Sequence, residues 1–164
     1  MKTKIGIAVL SIVLVFASCT KEYDCTDLQI RPAFIAFSPS DIDTFVLRKF
    51  IPAENFQHLI DTFIVTHGFN ANYQTSNDTT TVFITDGKNG IKAGYDWQIF
   101  IPKKNKTVFV SDIVSEKKTG KRGYGIFSMD PGPGCTNEIF SVKKDNQLIN
   151  FSNPLAGYSL FVHN

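Results

Sequence analysis

The chain has 164 residues, of which 43% are hydrophobic, 20% charged and 13% aromatic, with 17 Lys and Arg against 15 Asp and Glu. These proportions fit one folded domain and exclude a disordered tail, a collagen-like repeat and a multi-pass membrane protein. So small a charge excess gives no ground for a nucleic-acid partner.

Met1 to Lys4 form a short basic segment, and Ile5 to Phe16 an apolar run of twelve residues broken only by Gly6 and Ser11. Such a run falls short of the roughly 20 residues of a membrane span and suits the apolar region of a signal peptide. Small residues Ala17 and Ser18 lead into Cys19. The segment Phe16-Ala17-Ser18-Cys19 resembles the lipobox of bacterial lipoproteins, with Phe16 standing where that family usually carries Leu, Val or Ile. The resemblance covers only the first 19 residues. It implies removal of residues 1–18, a diacylglycerol on the Cys19 thiol, membrane attachment through that lipid, and a place in the cell envelope, at the outer membrane. The alternative is an ordinary signal peptide cut near Ala17 or Ser18, which leaves Cys19 a spare thiol. Lys21-Glu22-Tyr23-Asp24 partly matches the surface-export signal that follows the Cys in lipoproteins of Bacteroidota. The same charges suit a plain tether, so the periplasmic and the surface-exposed face both stay open. Residues 19–28 are read as lipidated Cys and tether, and 29–164 as the domain. Loss of Lys2 and Lys4 with the signal reduces the basic residues to fifteen, equal to the fifteen acids.

With Cys19 lipidated, Cys25 and Cys135 have only each other to pair with in a compartment where disulfides persist. Two buried thiols are the alternative. A redox pair fits poorly, because neither lies in a C-x-x-C.

From residue 33 onward, apolar runs of four to eight residues rich in Phe, Ile, Val and Thr alternate with turn clusters. The runs predict strands at Ala33–Ser38, Asp43–Phe50, Ile60–Thr66, Thr79–Thr85, Tyr95–Ile101, Thr107–Ser115, Tyr124–Ser128, Glu138–Val142, Gln147–Phe151 and Tyr158–His163. Gly, Asn and Pro clusters such as Asp86-Gly87-Lys88-Asn89-Gly90 and Lys143-Lys144-Asp145-Asn146 separate them. At most one short helix is expected, near residues 52–60, where Pro52 precedes Phe56, Leu59 and Ile60 at helical spacing; the same stretch also reads as a crossover loop. Alternation puts Trp97, Ile99 and Ile101 on one face, and Tyr158, Leu160 and Val162 on another; Phe63 shares a face with Val65, and Val108 with Val110. Because the opposite faces also carry apolar residues, the fold class read here is all-β: a single, mostly antiparallel β-sandwich, Ig-like or of a related two-sheet architecture.

No catalytic signature emerges. His58, His67 and His163 lack metal-ligand spacing, and no cofactor motif is present. Gly120-Lys121-Arg122-Gly123-Tyr124-Gly125 looks like a phosphate cradle but leads into no helix, so it reads as a solvated hairpin tip. The function expected is a non-catalytic binding or assembly role in the envelope, with an envelope protein or a glycan as partner. A surface glycan-binding module is the alternative, with Tyr95 and Trp97 as its stacking platform; Trp97 reads better as a core residue of its strand, beside Ile99 and Ile101. A hydrolase with a dispersed acidic site comes third. Basic turns at Lys103-Lys104, Lys117-Lys118 with Lys121-Arg122, and Lys143-Lys144 suit an anionic surface if they cluster, and solubility if they do not.

Overall fold

The computed structural model describes residues 25–120, 134–152 and 157–164. Among the described residues, eleven strands form two sheets: β1 (Thr26–Asp27), β2 (Ile30–Ile35), β3 (Thr44–Phe50), β4 (Leu59–Thr66), β5 (Ala71–Ser76), β6 (Thr79–Ile84), β7 (Asp96–Ile101), β8 (Lys106–Gly120), β9 (Gly134–Lys144), β10 (Gln147–Asn150) and β11 (Tyr158–His163). The larger sheet has the order β1-β9-β8-β7-β3-β4, and β10 also pairs with β9. Since β8 runs along one side of β9, β1 and β10 share the other: β1 meets Thr136 and Asn137, and β10 meets Ser141 to Lys144. The smaller sheet has the order β11-β2-β6-β5. Among the described strands, β1–β9 and β2–β11 are the parallel pairs. The mostly antiparallel sandwich read from the sequence is the fold of this chain.

Two-residue alternation builds the core. Phe45 and Leu47 from β3, Trp97, Ile99 and Ile101 from β7, and Val108 and Val110 from β8 face Phe34 from β2, Val82 from β6 and Tyr158, Leu160 and Val162 from β11. Phe34 sits edge-on to Phe45, with ring centroids 5.3 Å apart, and so joins the two sheets. Full burial of each such side chain contributes roughly 1.5–3 kcal/mol.

Several elements depart from expectation. Of the two readings of 52–60, the structure takes the loop and not the short helix; the described α-helix is the single turn α1 (Pro39–Ile42). Ser38 precedes it, and the Ser38 N–H donates to Asp41 Oδ2 at 3.1 Å, an N-terminal cap with Pro39 opening the turn. Residues 51–58 instead close the β3–β4 hairpin, with Ile51 N–H on His58 O at 3.1 Å. Ala53, Asn55 and Phe56 there have φ of 61°, 52° and 59°, which no right-handed helix accommodates. The first long strand runs Ile30–Ile35 and not Ala33–Ser38, because Ala36 turns the chain at φ 61°. Pro32 is tolerated inside it, one residue before the pairing with β6 begins. Strand β5 was unforeseen: as the edge of the smaller sheet it is largely exposed and polar, with only Ala71 buried. The expected strand Tyr124–Ser128 lies outside the described residues, as do the signal segment, Cys19 and the tether up to residue 24.

The Cys25–Cys135 bridge is present, with its Cα atoms 4.8 Å apart. It ties the start of the described chain to β9, immediately before the β1–β9 pairing. The larger sheet therefore begins inside the stretch expected to be tether. A bulge at Asp112 and Ile113, with Asp112 at φ 49°, separates the half of β8 that pairs with β7 from the half that pairs only with β9.

Candidate functional site

The platform expected at Tyr95 and Trp97 does not face solvent. Trp97 is fully buried, and its Nε1–H donates to Lys92 O at 3.0 Å. Tyr95 packs edge-on against Trp97 with ring centroids 6.2 Å apart, and the Lys49 ammonium lies 4.6 Å from the Tyr95 ring centroid. The core reading of Trp97 is the correct one, and Lys49 already covers the phenol ring.

An open pocket of about 580 Å³ lies instead on the outer face of the larger sheet, lined by Asn55, Phe56, Gln98, Phe109, Ser111, Asp145 and Asn146. Its floor follows from alternation: Gln98 points away from the core because Trp97 and Ile99 point into it, and Phe109 does so between Val108 and Val110. Its roof is the hairpin loop 51–58, folded back over the sheet. Phe50 and Asp96 carry the same outward parity as Gln98, yet both are buried, because this loop lies on them. Phe56 packs edge-on against Phe50 at 5.5 Å and against Phe109 at 4.7 Å, with the second pair tilted by 55°.

Asp96 holds the roof down. Its Oδ2 accepts the Ala53 N–H at 3.0 Å, and burial pushes its pKa above the ordinary carboxylate value. Asp96→Ala leaves the Ala53 N–H without its acceptor and is expected to cost about 1–3 kcal/mol, measured by urea unfolding. Because the folded pKa is raised, the proton-linked part of the stability is fully present below about pH 3.9 and is lost as pH rises through the folded pKa. Asp96→Asn should flatten that decline; an unchanged pH profile would contradict the assignment.

The side wall is a two-residue hairpin turn. Asp145 and Asn146, at φ 48° and 66°, join β9 to β10 in the left-handed geometry that favours Asn and Asp. Asp145 grips Phe109 twice: its Oδ1 accepts the Phe109 N–H at 2.9 Å, and its own N–H donates to Phe109 O at 2.9 Å. Beside the pocket, Arg48 Nη1 donates to Gln98 Oε1 at 2.6 Å, which fixes that amide and leaves the two Nε2 donors uncommitted. Among the described residues, the side chains of Asn55, Ser111 and Asn146 make no hydrogen bond.

Two further cavities differ in character. One of about 360 Å³ gathers Ser40, Asp43, His67, Tyr73, Thr75, Thr80 and Lys103, but its polar groups hold neighbouring elements together. His67 stacks on Tyr73 at 4.4 Å, the Tyr73 hydroxyl donates to Ile42 O at 2.7 Å, and Lys103 Nζ donates to Ser40 O at 2.6 Å. Burial, then the Asp43 carboxylate, raises the Tyr73 pKa further above its ordinary value, so the phenol stays a donor at neutral pH. The other, about 310 Å³, is lined by Asp27, Gln29, Arg31, Phe83, Gly157 and Tyr158 among others. There Arg31 lies over the Phe83 ring at 4.7 Å, and a Cβ on Gly157, at φ +80°, would come within 2.6 Å of its Nη1. Among the described residues no three His, Cys, Asp or Glu side chains group as metal ligands would.

The basic turns have local partners. Lys104 pairs with Asp41 at 3.2 Å, Lys143 with Asp112 at 2.9 Å, and Lys144 Nζ donates to Phe161 O at 3.0 Å. Lys121 and Arg122 lie outside the described residues.

Comparison with protein-family models, curated proteins and solved structures found no match.

Proposed function

We propose that this chain is a lipoprotein of the bacterial cell envelope, anchored at the outer membrane through lipid on Cys19, whose sandwich domain works by binding and not by catalysis. The observation that carries the binding reading is the pocket between the 51–58 loop and the outer face of the larger sheet. It combines two aromatic rings with uncommitted amide and hydroxyl groups. Its roof holds Ala53 and Phe56, two non-glycine residues in left-handed backbone. Such strain costs about 1–3 kcal/mol per residue, persists where surrounding structure enforces it, and gathers at ligand clamps. The anchor reading draws on the Phe16-Ala17-Ser18-Cys19 segment, and the bridge supports it, since a persisting disulfide belongs to an oxidising compartment.

One preparation tests both parts. Full-length protein expressed in a bacterium that processes lipoproteins is extracted from membranes with detergent. Its intact mass is expected to correspond to a chain beginning at a diacylglyceryl-modified Cys19; an unmodified thiol there refutes the anchor. A small-fragment screen by proton NMR on the same sample is expected to find binders that Phe109→Ala abolishes. A screen whose hits are indifferent to that variant refutes the pocket.

A further inference from the structure

We infer that the ligand of this pocket is a neutral pyranose unit of a glycan, an inference that rests on the binding reading above. The apolar face of a pyranose, formed by its axial C–H groups, needs an exposed aromatic ring to lie on. Phe109 is 37% exposed and is fixed at both its N–H and its C=O by Asp145. Phe56, tilted by 55° against it, makes the second wall of a cleft rather than a flat surface. Hydroxyl groups around the ring both donate and accept, and the rim matches that pattern. Asn55 and Asn146 bring complete amides, Gln98 two donors, Ser111 a hydroxyl, and Asp145 a carboxylate with Oδ2 uncommitted.

Charge and backbone narrow the ligand class. Among the described residues, no Lys or Arg lines the pocket. Of the two bases nearby, Arg48 donates to Gln98 and lies over the Phe100 ring at 5.4 Å, while Lys143 pairs with Asp112. With Asp145 as the one carboxylate among the described rim residues, and no base beside it there, a phosphate, a sulfate or a uronate meets like charge and no partner. An extended peptide finds no strand edge here, because β7 lies between β3 and β8, and β8 between β7 and β9, so the floor presents side chains alone. The volume, about 580 Å³, is that of a small-molecule site.

The test titrates the full-length protein in detergent micelles with four neutral hexasaccharides, built of glucose, N-acetylglucosamine, mannose or xylose, and with hexagalacturonate as the acidic comparison. Binding is followed by saturation-transfer NMR and calorimetry. At least one neutral oligosaccharide is expected to bind more tightly than hexagalacturonate. Phe109→Ala should weaken it at least tenfold. Asn146→Gly, which keeps the left-handed turn and removes only the amide, should weaken it roughly fivefold with the unfolding midpoint unchanged. Hexagalacturonate binding best, or no neutral oligosaccharide binding while Phe109-dependent fragment binding persists, overturns the sugar inference and leaves the pocket reading standing. Loss of Phe109-dependent fragment binding as well overturns both.

Discussion

Breaking the Cys25–Cys135 bridge is expected to lower the stability of the fold by about 4–5 kcal/mol. The bridge closes a loop with a sequence separation of 110 residues, and the entropy it removes from the unfolded chain grows with the logarithm of that length. Packing adds little to retain β1 once the covalent link is gone. Thr26 and Asp27 are exposed and pair only with Thr136 and Asn137, aided by Asn137 Nδ2 donating to Asp27 Oδ1 at 2.7 Å and by Lys92 at 3.4 Å from the same carboxylate. Exposed ion pairs of this kind contribute about 0–1 kcal/mol. Urea unfolding of Cys25→Ser/Cys135→Ser beside the unsubstituted chain, under non-reducing conditions, measures the loss. Matching midpoints would sink the argument.

The second large effect is expected at Trp97. Trp97→Ala should cost about 3–5 kcal/mol through the cavity alone. The Lys92 carbonyl then also loses the Nε1–H donor that it accepts at 3.0 Å, and burial of an unpaired acceptor adds roughly 1–3 kcal/mol. Trp97→Phe fills most of the volume but still orphans that carbonyl, so it should lie between the two. Because Trp97 is the only Trp, its own emission reports the native packing: a blue-shifted maximum moving red on unfolding. A native emission maximum typical of water-exposed indole would contradict its burial. Stabilities of the variants are better followed by circular dichroism, which does not depend on the residue removed.

Period-two patterning was legible where one face of a strand meets the core and the other does not. Trp97, Ile99 and Ile101, and Tyr158, Leu160 and Val162, are buried as alternation requires, and the last strand keeps the bounds read from the sequence. The same logic hid β5. An edge strand covered on one side needs few apolar residues, and Asn72, Gln74, Thr75 and Ser76 give a reader only Ala71 and Tyr73 to work with. The stretch 52–60 takes the loop reading and not the short helix for a tertiary reason. Phe56, Leu59 and Ile60 have helical spacing, but Leu59 and Ile60 are exposed on β4, and only Phe56 is drawn inward, by Phe50 and Phe109, which are distant in sequence or on another strand.

The candidate site was legible only in pieces. Alternation put Val108 and Val110 on one face, which leaves Phe109 on the other, and Asp145-Asn146 falls in a turn cluster. What joins them is register: Gln98 pairs with Phe109, and Val110 with Lys144, which carries the Asp145 turn against Phe109. Trp97 drew attention because a lone Trp next to Tyr95 and Asp96 looks like a sugar platform. Its strand neighbours Ile99 and Ile101 carried the better signal.

The position of the bridge also decides how the domain bears load. A pull on the chain ahead of residue 25 enters the fold through sulfur at Cys135, in a strand paired with β8 along its length. Because β1 runs parallel to β9, that pull would otherwise fall on two short rungs alone. With the bridge in place, the force spreads along the β8–β9 ladder. The weakest pairing in the larger sheet is thereby relieved of the tension that an anchored chain would transmit.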